Sequence, residues 1–203
     1  MNATALKQFS LVDIADIRAG YPFRGAIDVL EQGDVGAIQM RNVDEFIGVD
    51  WTAIAYVKLP SQRSADLLSD GDLIFTTRGR RNFALALDNI PCAAVCSPHF
   101  FVIRVFDDTQ ILPSFLAWQI NQRSCQDYLQ QAATGSHILN ITRGAIESLP
   151  LALPSLAMQR ALMEVVDTAQ NERRVLNELI SNRARQIDAI AADILKIEMH
   201  ISA

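Results

Sequence analysis

The sequence contains little cysteine, with Cys92, Cys96 and Cys125 the only three among 203 residues. So small and odd a number does not build a disulfide scaffold and favours a reducing compartment, so we expect a cytoplasmic protein. No run of 18 apolar residues occurs, and the first ten residues lack the basic and apolar regions of a signal peptide. We therefore expect neither a membrane span nor export.

Common enzyme motifs are also missing. The sequence has no GxGxxG, GxxxxGK[ST], HExxH or GxSxG, and no NPPY-like motif or glycine loop of the kind that an adenine methyltransferase uses with S-adenosylmethionine. We expect no catalytic residues, no cofactor and no bound metal. The alternative is a site built on Cys92, Cys96 and His99, with Cys125 further on, as zinc ligands or as a Cys96/His99 nucleophile and base. If residues 92–99 are extended, however, His99 points away from the two cysteines.

The charge balance is slightly acidic, with a net charge of −5. This argues mildly against a nucleic-acid-binding protein, because such proteins are usually basic. Residues 1–150 carry 12 Lys and Arg against 16 Asp and Glu. Within them, residues 78–82 (RGRRN) form the densest basic stretch of the chain. Arginine is suited to phosphate and guanine contacts, although three arginines near a turn can also be simply solvated.

Periodicity and turn residues predict an α+β body in residues 1–150, followed by one long helix in residues 151–203. The predicted strands are residues 37–40, 55–59, 73–77, 83–87 and 100–106, with residues 78–82 at the turn of a hairpin. The predicted helices are residues 11–17 capped by Ser10, residues 113–121, a helix capped by Ser124 that ends near residue 132, and a short helix capped by Thr142.

The C-terminal segment has a heptad pattern. After Ser155, a plausible N-cap, neither Gly nor Pro occurs, and eleven positions follow one another in alternating steps of four and three. Nine are apolar, and Arg173 and Arg183 occupy the other two. We predict that the apolar positions form a dimerisation seam: Leu162, Val166, Ala169, Leu176, Ile180, Ile187, Ile190, Ile194 and Ile197. The seam is about 52 Å long, which favours a partner helix over the ordinary alternative of an amphipathic core helix.

Six segments taken in order resemble one half of a type I restriction-modification specificity subunit (HsdS, the methylase-S family). They are LVDIADIRAG (11–20), GAIQMRNV (36–43), LSDGDLIFTTRG (68–79), ILPSFLAWQIN (111–121), TGSHILNI (134–141) and LPLALPSLAMQ (149–159). Each segment is degenerate alone, and their order carries the resemblance, which covers about residues 8–198.

The resemblance implies a non-catalytic protein that reads double-stranded DNA, with residues 1–150 as a target-recognition domain and residues 151–203 as a spacer and dimerisation helix. It also implies methyltransferase subunits, and restriction subunits in a further assembly, as partners. The candidates for DNA contact are Tyr21, Arg24, Arg41, Asn42, Arg78, Arg80, Arg81, Asn82, Ser136, His137 and Asn140. Arginine suits guanine and phosphate, and asparagine suits adenine.

The usual subunit of this family carries two recognition domains and two helices, whereas this sequence has one of each. Either the chain is a half-subunit that pairs with itself, or part of a longer two-domain arrangement has been lost. In the first case we expect a homodimer with antiparallel helices and a palindromic target. Two other classes stay open: a coiled-coil interaction or scaffold protein without DNA recognition, and an enzyme centred on Cys96 and His99.

Overall fold

The structure, a computed structural model, describes residues 8–23, 34–59, 67–79, 81–108, 110–133 and 139–201. The chain divides into two compact units, the first ending at Arg160 and the second beginning at Ala161. The first unit contains short strands and short helices, and the second is helical, so the predicted α+β class is confirmed. Among the described residues, no helix has the length and apolar character that crossing a membrane requires.

The described elements alternate along the chain without βαβ regularity. The strands are β1 (Gln8–Ser10), β2 (Ala15–Ala19), β3 (Val35–Ile38), β4 (Val43–Asp44), β5 (Gly48–Val49), β6 (Ala55–Val57), β7 (Leu73–Thr76), β8 (Arg78–Gly79), β9 (Ala84–Ala86), β10 (Ala94–Cys96), β11 (Phe100–Val105), β12 (Leu139–Asn140) and β13 (Pro150–Ala152). The helices are α1 (Leu11–Ile14), α2 (Pro113–Ile120), α3 (Arg123–Ala132), α4 (Arg143–Glu147) and α5 (Leu156–Ile201), with a 3₁₀ turn at Met40–Asn42.

Two sheets make up the centre of the first unit. One has four antiparallel strands in the order β2-β11-β7-β9, and the other has the order β10-β3-β6, with β10 parallel to β3. The predicted hairpin is confirmed, because β7 and β9 pair through Leu73 with Ala86 and Phe75 with Ala84.

One hydrophobic cluster contains apolar side chains from both sheets. It is formed by Ile38, Leu68, Ile74, Leu87, Ala94, Cys96, Phe100 and Val102. Four strands are buried along nearly their whole length and do not alternate between buried and exposed residues: β3, β7, β10 and β11. This pattern is typical of strands covered on both faces. A second cluster around Val35, Val57 and Val95 packs with the rings of Tyr21 and Phe23.

The first helix is shorter than predicted. It covers Leu11–Ile14 instead of residues 11–17, because the chain then turns into β2, which pairs with β11 from Ala15 opposite Val105 to Ala19 opposite Phe101. The pattern in β2 is already that of a strand, since Ala15 and Ile17 are buried and Asp16 is exposed. The predicted capping box is present in part, with the Ser10 amide donating to Asp13 Oδ2 at 2.9 Å.

Helices α2 and α4 match their predictions. Pro113 is the first residue of α2, and Thr142 caps α4 by accepting a hydrogen bond from the Ala145 amide at 3.3 Å. Helix α3 begins two residues earlier than expected, at Arg123, with Gln122 rather than Ser124 as N-cap.

The first unit includes the start of helix α5. Strand β13 pairs antiparallel with β1, and Ser155 Oγ accepts from the Met158 amide at 3.4 Å as the predicted N-cap. Gln159 is fully buried and accepts from the Leu112 amide at 2.9 Å. Its side-chain amide also donates to the carbonyls of Gln110 and Pro154, both at 2.9 Å. Residues 151–160 therefore belong to the first unit.

Candidate nucleic-acid interface

The basic hairpin turn is held by a buried amide. Asn82 is 5% exposed, and its Nδ2 donates to the Thr76 carbonyl at 2.7 Å, while the Phe83 amide donates to Thr76 Oγ1 at 2.9 Å. The amide of Asn82 therefore supports the turn that carries Arg78 and Arg81, and contact of Asn82 with DNA stays a prediction.

A second turn displays Arg41 in the same way. Asn42 is 2% exposed, accepts from the Gln39 amide at 3.0 Å and donates to the Ala53 carbonyl at 2.9 Å. Its amide is thus bonded on both sides within the protein, and contact of Asn42 with DNA stays a prediction. Arg41, between Met40 and Asn42 in the 3₁₀ turn, is exposed.

Arg78 and Asn140, far apart in sequence, are neighbours in the fold. They face each other in the antiparallel pair of β8 and β12. The pair continues through the Ile141 amide, which donates to the Thr77 carbonyl at 3.0 Å. Two of the predicted contact residues are therefore brought together by a backbone ladder.

Two adjoining clefts lie along these turns. The first, of about 310 Å³, is lined by Thr77, Arg78, His99 and Asn140 among others. The second, of about 490 Å³, is lined by residues that include Arg41 and again His99. Pro98 and His99 line both clefts, so the clefts adjoin at this turn, with Arg78 in the lining of the first and Arg41 in the lining of the second.

The basic turn also lies beside the 3₁₀ turn. Gly79 has φ +136°, and a Cβ built on it would come 3.9 Å from Met40 Cε. This left-handed conformation strains any residue other than glycine, which accounts for the glycine between the arginines. The turn that carries Arg78 and the turn that carries Arg41 are therefore neighbours.

Arg81 differs from Arg41 and Arg78 in having a carboxylate partner. Its Nη1 lies 3.0 Å from Glu45 Oε2, and the two side chains are 57% and 13% exposed. No such ion pair is found for Arg41 or Arg78 within the described part of the chain. The charge of Arg81 is thus already partly neutralised.

Tyr21 lies at the edge of this surface in a packing position. Its amide donates to the Cys96 carbonyl at 2.7 Å, and its ring contacts that of Phe23 edge-on at 5.0 Å between centroids. Phe23 lines the second cleft. The half-buried Tyr21 ring therefore supports one wall of the cleft.

Four predicted contact residues lie outside the described residues: Arg24, Arg80, Ser136 and His137. Four polar or turn residues that line the clefts were not predicted: Gln39, Thr77, Ser97 and Pro98. His99 was predicted only as a zinc ligand or base. A proline just before a predicted strand indicates a turn, but nothing in the pattern places that turn beside Arg78.

The geometry gives no support to a cysteine-based site. Cys96 is 1% exposed in β10, and burial raises the pKa of its thiol to about 12, which disfavours the nucleophilic thiolate. Burial also raises the pKa of the Cys125 thiol. Within the described ranges, no group of three His, Cys, Asp or Glu side chains is arranged to hold a metal ion.

The predicted seam lies on a helix face that is largely exposed in the single chain. Leu162 and Val166 are half-buried, and Ala169 is exposed. Beyond them the seam side chains are exposed by at least half: Leu176 52%, Ile180 67%, Ile187 58%, Ile190 59% and Ile194 53%. Ile197 lies in the helix, but its side chain is outside the described residues. Val175, Leu179 and Leu195, which are more than half exposed, widen the apolar face.

Comparison with solved structures reveals the same fold in restriction-modification proteins. One is the type I restriction-modification S subunit from M. genitalium, with a TM-score of 0.59, 13% identity, and coverage of 89% of this chain and 43% of that one. Another is the HsdS subunit from Thermoanaerobacter tengcongensis, with a TM-score of 0.58, 14% identity, and coverage of 85% and 39%.

The chain has the fold of type I restriction-modification S subunits. A third match is a structure described as the basis of complex assembly and conformational transition of the type I R-M system (TM-score 0.61, 14% identity, 87% and 41% coverage). This chain spans about two fifths of the length of the S-subunit structures it matches. No family model matches the sequence, and no curated protein matches it.

Proposed function

We propose that this chain is a DNA-binding specificity subunit, a half-subunit, of a type I restriction-modification system. It directs methyltransferase and restriction subunits to a target site. The observation that carries the proposal is the pair of adjoining clefts, one lined by Arg78 and the other by Arg41. It occurs in a fold shared with S subunits and in a body that is otherwise acidic.

In this proposal, affinity and specificity come from different side chains. Arg41 and Arg78, exposed at the rim of the clefts, contact phosphates and fix the position of the duplex. Asn140, which lines the first cleft opposite Arg78, is placed to meet a base edge, and an amide matches adenine. Residues 1–150 thus act as the target-recognition domain.

The long helix joins two copies. Full burial of an exposed Leu or Ile is worth about 1.5–3 kcal/mol, and the described seam side chains beyond Ala169 are 52–67% exposed, so each would gain roughly half of that. This favours a homodimer through the part of α5 beyond Arg160. Antiparallel pairing places the two recognition domains at opposite ends of the coil. Such a two-fold dimer reads a palindromic site.

In this proposal, separate subunits carry out the methylation and restriction reactions. The chain itself has no cofactor loop in its sequence, and its buried cysteines are poor nucleophiles. We expect no methyl transfer by the purified chain with S-adenosylmethionine alone, and methylation once a methyltransferase subunit is added. Methylation by the chain alone would contradict this role.

The DNA-binding proposal is tested with the double variant Arg41→Ala/Arg78→Ala in complex with methyltransferase subunits. The slope of log affinity against log salt should become shallower by about 0.9 for each arginine that no longer meets a phosphate. Arg123→Ala is a control, because Arg123 is 94% exposed on α3 and lines neither cleft, so this variant should leave the slope unchanged. An unaltered slope in the double variant rejects the proposed surface. Failure of the wild-type complex to bind any DNA favours the scaffold alternative instead.

A further inference from the structure

His99 occupies the turn between β10 and β11. The turn runs from Ser97 to Phe100 and is closed by the Phe100 amide donating to the Ser97 carbonyl at 3.1 Å. Pro98 stands at the second position, where its fixed φ suits the turn. Pro98 and His99 are exposed, between the buried residues Ser97 and Phe100. The imidazole is therefore displayed on a short, constrained turn.

The turn is fixed to the strand that leads into Arg78. Thr77 is 6% exposed, and both its amide and its hydroxyl donate to the His99 carbonyl, at 2.8 and 3.0 Å. The Thr77 carbonyl in turn accepts from the Ile141 amide, next to Asn140. One buried threonine thus sets the spacing between the turns that carry Arg78, His99 and Asn140.

His99 is also central to the surface. It lines the first cleft with Arg78 and Asn140 and the second with Arg41. Of the residues that line the clefts, Pro98 and His99 alone are shared, and Pro98 has no side chain that can donate or accept a hydrogen bond.

We propose that His99 is a specificity-determining residue that contacts a base edge between the phosphates held by Arg41 and Arg78. This inference rests on the proposed DNA-binding function. Arginines on either side suit the two phosphate backbones that flank a groove, so a group between them faces the bases. A neutral imidazole offers one donor and one acceptor, and its N–H fits a major-groove acceptor such as N7 of a purine.

The test compares His99→Ala with the wild type in the methyltransferase complex, by selection from a pool of random DNA duplexes at two salt concentrations. We expect the His99→Ala complex to stop discriminating between bases at one position of the selected motif. In a palindromic motif the symmetry-related position should change as well. Affinity for the full target should fall on the order of tenfold, while affinity for unrelated DNA and the salt slope stay unchanged. Because His99 is exposed, the thermal midpoint should not change.

Three other outcomes overturn the inference in different ways. An unchanged motif shows that His99 reads no base. A shallower salt slope with the motif preserved shows that His99 contacts a phosphate. If the wild-type complex selects no motif at all, the proposed function itself has failed. Arg78→Ala serves as the reference for a phosphate contact, since it should change the slope.

Discussion

At the scale of single residues, a glycine–aspartate pair anchors the centre of the first unit. Gly71 has φ +86°, in the left-handed region, and leads into Asp72, which is 1% exposed. Asp72 accepts two hydrogen bonds of 2.6 Å from Arg104 and one of 2.9 Å from the Ser69 amide. The two parallel hydrogen bonds from one guanidinium offset the free-energy cost of burying the Asp72 carboxylate. They explain why the sequence has Gly71 and Asp72 directly before β7.

Gly20 is required by a close approach of two backbones. A Cβ built on it would lie 2.0 Å from the Ser97 carbonyl oxygen, a contact that only a backbone shift could relieve. We expect Gly20→Ala to lower the free energy of unfolding by about 1–3 kcal/mol. Gly144→Ala is the control, because nothing lies within 4 Å of its Cβ and alanine favours helix α4 by up to about 1 kcal/mol.

Urea denaturation of both glycine variants at one protein concentration measures the difference. A Gly20→Ala protein as stable as the wild type would show that residues 20 and 97 are not in contact as described.

The ion pair of Arg81 with Glu45 makes a separate prediction about DNA affinity. Glu45→Gln removes the carboxylate that lies 3.0 Å from the guanidinium, which frees Arg81 for a phosphate. We expect tighter binding to unrelated DNA, with a salt slope steeper by about 0.9. Adding Arg81→Ala should abolish this increase in affinity.

Glu178→Gln is a matched control for this test. It breaks another Arg–Glu pair, with Arg174 at 2.9 Å on helix α5, and changes the net charge equally. If both Glu→Gln variants steepen the slope alike, the effect comes from net charge, and Arg81 makes no specific contact.

Residue chemistry predicted only part of the candidate site. Arg41, Arg78 and Asn140 follow from the residue types that suit DNA, and they do line the clefts. The same reasoning selected Asn42 and Asn82, whose amides instead satisfy backbone groups inside turns. Asparagine fits both roles, and the choice depends on which backbone groups lie near it in the fold.

At the scale of elements, local signals predicted what local contacts determine. Pro113 and Thr142 marked the starts of α2 and α4, and the turn residues marked the hairpin of β7 and β9. The pairing of β8 with β12 could not be predicted, because two-residue strands carry no periodicity and join distant segments.

Asn121 is another long-range contact that no local pattern indicates. Its side-chain amide accepts from the Ala84 amide and donates to the Ala84 carbonyl, both at 2.8 Å. It therefore bonds to β9 as a neighbouring strand would, at the edge of the four-stranded sheet.

The proposed dimerisation seam on helix α5 can be tested by substitution. Ile180→Asp/Ile187→Asp places two charges per helix in the proposed seam and should split the homodimer, because a buried, unpaired carboxylate is strongly unfavourable. Light scattering should give the dimer mass for the wild type and the monomer mass for the variant. Circular dichroism records whether the helix itself is retained.

The control variant for the helix is Asn171→Asp/Ala192→Asp. Both positions are exposed and outside the seam, so the added charge is equal and the dimer should persist. A wild-type chain that is monomeric at micromolar concentration would contradict the homodimer and leave the exposed face to another partner.

At the scale of the whole molecule, the fold is shared with S subunits at 13–14% identity. Sequences of such low identity can share a fold because the burial pattern and the turn residues specify the helices and strands. Many combinations of apolar side chains can then fill the same core. A net charge of −5 argues mildly against DNA binding, whereas exposed arginines line two adjoining clefts of the first unit, Arg78 in the first and Arg41 in the second.

The most direct test of the central claim, that this chain selects the DNA target of a methyltransferase, is the methylation map of the host genome. The map should be determined in strains with and without the gene. It should also be determined after complementation with the wild-type or the Arg41→Ala/Arg78→Ala protein. We predict that one palindromic motif loses methylation on deletion. The wild-type gene should restore it, and the double variant should restore it poorly. A methylation map that is identical with and without the gene would contradict the claim.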